Sequence, residues 1–137
     1  MNLLITTESQ GHREVKENRD PRTAPVIAAA IEVHRALGPG LLESAYEECL
    51  CHELHLRGLS FERQVDVVYK GLRRRCGYKI DLIVSDEIVL ELKAIEKVLP
   101  IHQAQLLTYM KLSGRHVGLL VHFNVLLLTQ GITRRVL

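Results

Sequence analysis

The chain has 137 residues, of which 47% are hydrophobic and 25% charged, as in an ordinary globular protein with one domain and a buried core. Its formal net charge of +2 is too small to indicate nucleic-acid binding by itself, although it does not oppose it. No apolar run approaches the roughly 18 residues of a membrane span, and the N-terminal segment lacks the apolar core of a secretory signal. Three cysteines without a CxxC pair predict reduced thiols in a cytoplasmic protein that does not enter membranes.

The N-terminal segment is expected to be a tail. Positions 8–22 are dense in charged and polar residues and almost lack apolar ones, which is typical of a segment that cannot form a core. The sequence therefore predicts a flexible polar tail over residues 1–23 and a single domain over residues 24–137.

Two helices open the predicted domain. Apolar residues recur at helical spacing over positions 25–37, and Gly38 is expected to end the first helix. After the Pro39-Gly40 corner, a second helix is predicted over positions 41–57 and closed by Gly58. Because the connection is so short, the two helices should pack on the same side of the elements that follow.

Strand-forming residues dominate after the second helix. The pattern predicts strands, a third helix and further strands in the order 61–69, 78–84, 88–94, 101–112 (the helix), 117–123 and 131–136 (an edge strand). Positions 72–76 are either a further strand or a basic loop. Hairpins imply antiparallel pairing, whereas the strand–helix–strand unit implies a right-handed parallel crossover. The predicted fold class is therefore α/β, with helices packed on a mixed sheet.

Acidic and basic residues interrupt two of these strands, which are otherwise almost wholly apolar. Asp81 is followed after nine residues by Glu91-Leu92-Lys93. Ionised groups in apolar surroundings are costly unless they are paired, bind a metal or face a cleft. Two carboxylates and an ammonium group at one place are what a site needs to hold a divalent metal and activate a water molecule.

The register of this hairpin decides whether the charges meet. A three-residue loop over 85–87 would place Asp81 opposite Glu91. The same register would place Lys79 opposite Lys93, so that all four charges share one face. The apolar residues between them would point to the other face, namely Ile80, Leu82, Leu90 and Leu92.

Two opposed carboxylates repel each other unless a cation lies between them. Mg²⁺ suits such a position, because it prefers oxygen ligands and often takes only one or two protein carboxylates. The alternative on pattern alone is a solvated hairpin face with a Lys–Glu pair.

The charged residues resemble the PD-(D/E)XK nuclease superfamily, whose core has the same helix–strand–strand–strand–helix–strand order. More narrowly, Gly40-Leu-Leu-Glu43-Ser-Ala-Tyr46 is similar to the motif that names the GxxExxY protein family. Further similar segments are 31–48, 68–71, 78–81, 91–94 and 101–109. The resemblance extends from about Pro25 to the C terminus and implies a restriction-endonuclease-like core, a mixed β-sheet flanked by helices.

The resemblance implies Mg²⁺- or Mn²⁺-dependent hydrolysis of phosphodiester bonds in nucleic acid, with DNA favoured over RNA, or descent from such an enzyme. Carried over by position, Asp81 and Glu91 would be catalytic metal ligands and Lys93 the catalytic lysine. Glu43 matches the helix glutamate that completes the metal site in this superfamily. Without the resemblance, Glu43 is an acid in the first turn of a helix, where the helix dipole favours any acid.

Other residues are implied to contact the substrate. Gln105 and Tyr109, one helical turn apart, resemble a helix motif of the exonuclease-like branch, in which Gln105 would orient substrate or water. The alternative for Tyr109 is a place in the core. Lys79 keeps a positive charge at a position where arginine is expected to be commoner. The basic run Arg73, Arg74 and Arg75 would contact phosphates or form a solvated turn.

Several remaining side chains have weaker interpretations. A zinc site on the second helix is disfavoured, because its candidates do not converge on one point: Cys49, Cys51, His52 and His55. Tyr46 is expected to pack rather than react, and His102 either faces the site or caps its helix. The alternative to a nuclease is a non-catalytic nucleic-acid-binding or protein-assembly module. The sequence allows a homodimer but does not specify the oligomeric state.

Overall fold

The structure, a computed structural model, describes residues 20–72 and 77–137. The helices are α1 (Ala24–Leu37), α2 (Glu43–Leu56) and α3 (Pro100–Ser113), with a short 3-10 turn at Leu128–Gly131. The strands are β1 (Phe61–Asp66), β2 (Lys79–Val84), β3 (Ile88–Lys93), β4 (Val117–His122) and β5 (Ile132–Val136). This chain order confirms the predicted α/β fold class.

The five strands form one mixed sheet in the spatial order β1-β2-β3-β4-β5. All neighbouring pairs are antiparallel except β3 and β4, which are parallel and joined through α3. Residues 132–136 form an edge strand, as predicted. Because β3 and β4 lie inside the sheet and are covered on both faces, their sequences are continuous apolar runs rather than alternating ones.

Two apolar clusters cover the two faces of the sheet. The larger one lies between the sheet and the first two helices, and includes Ala30, Leu50 and Leu54. The smaller one lies beneath α3 and includes Leu106 and Met110. The helix approaches β4 closely because Gly118 has no side chain: a Cβ there would lie 2.5 Å from the Met110 sulfur. Leu106 and Met110 thereby pack α3 directly on β4.

The corner between α1 and α2 is fixed by one tyrosine. The Tyr46 ring is fully buried and stacks on Phe123, with ring centroids 4.4 Å apart. Its hydroxyl donates to the Gly38 carbonyl at 2.6 Å and accepts the Leu41 N–H at 3.2 Å. The packing role predicted for Tyr46 is confirmed, and its contacts determine where α2 begins.

Parts of two predicted segments lie outside the described residues. These are residues 1–19 of the predicted tail and the basic run at 73–76. The last four residues of the predicted tail, 20–23, contact the domain: Asp20 accepts from the Arg134 guanidinium at 3.0 Å, and Thr23 is fully buried. Within residues 20–72 and 77–137, no helix is long and apolar enough to cross a bilayer.

Candidate active site

The hairpin of β2 and β3 has the predicted register. Val84 pairs with Ile88 around a three-residue loop, and Leu82 pairs with Leu90. The loop is tight because two of its residues adopt the left-handed conformation, Ser85 with φ 55° and Asp86 with φ 56°. The next opposed positions along this register are those of the two acids.

At Asp81 and Glu91, hydrogen bonds from backbone N–H groups to the two carboxylates replace the backbone-to-backbone bonds of the hairpin. The Glu91 carboxylate accepts the Asp81 N–H at 2.9 Å, and the Asp81 carboxylate accepts the Leu92 N–H at 2.8 Å. Each acid is therefore bonded to the backbone of the opposite strand. A carboxylate fixed in this way loses little further conformational entropy when it binds a cation.

The prediction that Ile80 shares a face with Leu82, Leu90 and Leu92 is wrong. Those three leucines belong to the cluster under the first two helices, whereas Ile80 belongs to the cluster beneath α3. The side-chain alternation of β2 is broken at Asp81, where side chain-to-backbone bonds replace the ladder.

The acidic pair is strongly perturbed by its surroundings. Glu91 is only 4% exposed, and burial together with the Asp81 charge raises its pKa to about 8. Burial also raises the pKa of Asp81, and the charges of Glu47 and Glu43 add to the effect. Without a cation, this site favours a protonated carboxyl over two charges.

The donor chemistry fits a hard divalent cation, since two fixed carboxylates with raised pKa values gain most from a positive charge between them. Within the described ranges, no group of three or more His, Cys, Asp or Glu side chains has metal-ligand geometry. Glu43, predicted as a third ligand, acts on Asp81 and Glu91 through its charge. Within those ranges the metal-ligand candidates at this site are therefore the Asp81 and Glu91 carboxylates.

Lys93 lies two residues beyond Glu91 on the same strand, half-buried, and its positive charge lowers the pKa of Glu91. Lys79 is exposed and forms an ion pair with Asp66 of β1 at 2.5 Å. The structure thus brings Lys93 to the acidic pair and ties Lys79 to the edge strand.

On α3, Gln105 is partly exposed, whereas Tyr109 is 5% exposed and belongs to the cluster beneath the helix. The His102 ring nitrogen Nδ1 accepts the Leu99 N–H at 2.9 Å, so this histidine caps its own helix. The structure therefore places Tyr109 in the core, as the alternative interpretation predicted, and leaves Gln105 partly exposed.

Sequence reasoning missed two residues at the acidic pair. Glu47 is 9% exposed and accepts from the Arg63 and Gln64 side chains. The Gln64 amide also lies 3.4 Å from the Asp81 carboxylate. Glu47 was detectable as an acid one helical turn after Glu43. Gln64 was not, because the Lys70-Gly71 turn between β1 and β2 does not fix the register of these two strands.

The site thus combines two fixed carboxylates on adjacent strands, a lysine beside them and helices at both faces of the sheet. A family model described as the PD-(D/E)XK nuclease superfamily matches residues 20–136. The chain belongs to the PD-(D/E)XK nuclease superfamily. No curated protein and no solved structure matches the chain significantly.

Membership gives the site residues their context. Asp81 and Glu91-Leu92-Lys93 are the residues whose resemblance to the named motif the sequence suggested, and the broken hairpin ladder brings Asp81 and Glu91 together. Ile80 stands where the name has proline. PD-(D/E)XK nucleases generally use divalent metals and act on nucleic acids.

Metal binding should depend on pH in a direction that the carboxylates determine. Since a ligand must be deprotonated, a cation competes with the proton held by Glu91 below a pKa of about 8. We expect the Mn²⁺ affinity to increase up to roughly tenfold per pH unit between about pH 6 and pH 8, and then to level off. Isothermal titration in two buffers of different ionisation enthalpy would measure the affinity and the released proton. An affinity independent of pH would contradict a role for Glu91 as ligand.

Proposed function

We propose that this protein is a metal-dependent nuclease that hydrolyses phosphodiester bonds in DNA with Mg²⁺ or Mn²⁺, and that it belongs to the GxxExxY branch of its superfamily. The observation that carries the proposal is that the Asp81 and Glu91 carboxylates each accept a backbone N–H of the opposite strand, with Glu91 buried beside Lys93. We also propose that it acts in the cytoplasm, alone or as a homodimer.

In this proposal Asp81 and Glu91 hold the metal, and Glu43 contributes negative charge from the start of α2. A bound divalent ion supplies a water of lowered pKa and positive charge for the phosphate. The Asp81 and Glu91 carboxylates can hold the ion only when both are ionised, and a cation between them favours that ionised state.

Lys93 is proposed to act on the reacting phosphate. Its ammonium group lies on the same strand as Glu91, so it is held next to the place where the phosphate would meet the metal. A fixed positive charge there stabilises the charge that develops on the phosphate oxygens during attack by water. Gln105 is proposed to orient the water or the substrate from α3.

The proposal also names contacts to the nucleic acid. Lys79 and the basic run Arg73, Arg74 and Arg75 are the candidates for substrate binding, whereas the buried Tyr109 is assigned to packing beneath α3. Lys79 is the best-supported of these candidates, because it is exposed on the strand that carries Asp81. Its ion pair with Asp66 is at the surface, where such pairs contribute only about 0–1 kcal/mol, so exchange of the carboxylate for a phosphate costs little.

The test is cleavage of labelled DNA and RNA substrates, single- and double-stranded, with Mg²⁺, Mn²⁺ or EDTA. We expect DNA cleavage that requires the metal and that Asp81→Asn abolishes. Asp86→Asn is the matched control, since it makes the same change in the same hairpin at an exposed loop position. Metal binding without cleavage of any substrate would favour the non-catalytic module. Cleavage that persists in EDTA would refute the proposal.

A further inference from the structure

One residue of β1 has a backbone conformation that its side chain disfavours. Gln64 has φ 51°, in the left-handed region, although it is neither glycine nor in a turn. It lies between Arg63, which pairs with Leu82, and Val65, which pairs with Ile80. The same register places Gln64 opposite Asp81. A disfavoured conformation inside a strand indicates that the surrounding contacts require it.

The contacts of Gln64 show what the conformation achieves. Consecutive side chains of a regular strand point to opposite faces. Arg63 and Gln64 instead both reach the Glu47 carboxylate, at 3.1 Å from the guanidinium and 3.1 Å from the amide nitrogen. The left-handed backbone at Gln64 turns its side chain towards the helix that carries Glu47, and so towards the acidic pair.

The amide of Gln64 can have only one orientation in this position. Its Nε2 lies 3.1 Å from one oxygen of Glu47 and 3.4 Å from Oδ1 of Asp81. Ionised carboxylates only accept hydrogen bonds, so the NH₂ group must face them both. With the Leu92 N–H on Oδ2, each oxygen of Asp81 then has one donor.

Charge explains why a glutamine suits this place. Arg63 pairs with Glu47 and Glu48, whereas the donor that Glu47 shares with Asp81 is the neutral Gln64 amide. A lysine or arginine bonded to Asp81 would neutralise the carboxylate and compete with a metal ion. A neutral donor orients the same carboxylate and leaves its negative charge for the metal.

We propose that Gln64, held by Glu47, is a positioning residue that orients the Asp81 carboxylate for metal binding. The proposal rests on the proposed function, because the metal site is the one described above. Gln64 itself does not contact the metal in this scheme. Its influence passes through Asp81 and is seen in metal affinity and in the bond between Asp81 and the Leu92 N–H.

The test uses Gln64→Gly, which removes the amide and at the same time relieves the disfavoured backbone conformation. The matched control is Ser85→Gly, which relieves the same kind of conformation in the hairpin loop. Two readouts are needed: Mn²⁺ affinity by isothermal titration, and hydrogen exchange of the Leu92 amide by NMR in the metal-free protein.

We expect Gln64→Gly to keep its melting temperature, to bind Mn²⁺ about 10–100-fold more weakly, and to exchange the Leu92 amide faster, while Ser85→Gly matches the wild type. Wild-type affinity and wild-type Leu92 exchange in Gln64→Gly would refute the role of Gln64 alone. A wild-type protein that binds no Mn²⁺ would instead refute the proposed function, and with it any role for Gln64 at a metal site.

Discussion

Lys93→Ala is expected to slow metal-dependent DNA cleavage by about 10²–10⁴-fold while the protein still folds and still binds Mn²⁺. The reason is that Lys93 contributes its positive charge beside Glu91, whereas the two carboxylates proposed to bind metal are fixed by backbone N–H groups. Removal of the ammonium group leaves those bonds in place. The expected loss is therefore in the chemical step and not in metal affinity.

The measurement combines single-turnover cleavage of labelled DNA with Mn²⁺ titration. Lys111→Ala is the matched control, since Lys111 is exposed in the last turn of α3. Retained cleavage in Lys93→Ala would show that the lysine is not catalytic. Loss of both cleavage and Mn²⁺ binding would instead assign Lys93 to the assembly of the metal site.

The site is where prediction from sequence was both most and least successful. The register of the β2–β3 hairpin followed from a short loop and from alternation, and Val84 does face Ile88. The same alternation failed at Ile80, because it assumes a ladder that continues past Asp81. Hydrogen bonds from backbone N–H groups to carboxylates replace the ladder there, and an alternating pattern of apolar residues in the sequence does not indicate that replacement.

The contribution of β1 could not be predicted for a different reason. The turn at Lys70-Gly71 closes the isolated Tyr69–Leu72 bridge, but that bridge is not in register with the β1–β2 pairs, so the turn does not set where β1 lies along β2. Gln64 enters the site only because its backbone leaves the β region, a choice that is disfavoured for glutamine itself. The backbone preference of glutamine therefore disfavours this conformation, and the tertiary contacts of Gln64 with Glu47 and Asp81 stabilise it.

Glu91→Gln is expected to stabilise the metal-free protein at pH 8 while it abolishes metal binding. Burial raises the pKa of Glu91 from 4.5 to about 8, so the folded state binds a proton that the unfolded state releases between these values. Stability contributed by this group is complete below about pH 4.5 and is lost as the pH rises through about 8. Glutamine removes the ionisation and keeps an oxygen to accept the Asp81 N–H.

We expect a gain of about 2–4 kcal/mol in the free energy of unfolding at about pH 8, which disappears towards pH 4.5. Urea unfolding in EDTA at both pH values would measure it. Glu48→Gln is the matched control, because Glu48 is exposed and should change stability by less than about 0.5 kcal/mol. A Glu91→Gln protein less stable than the wild type at pH 8 would contradict the conclusion that the buried charge of Glu91 destabilises the metal-free protein.

Added Mn²⁺ should then reverse the order of stability of the wild type and Glu91→Gln. The wild type gains stability with Mn²⁺ concentration, by about 4.1 kcal/mol at a thousandfold excess over the dissociation constant, because the ion binds only the folded state. Glu91→Gln, which lacks one of the two carboxylates, should gain nothing at the same concentration. The two stabilities should therefore cross as Mn²⁺ is added at pH 8. A crossing would show that the same buried carboxylate destabilises the empty site and binds the metal.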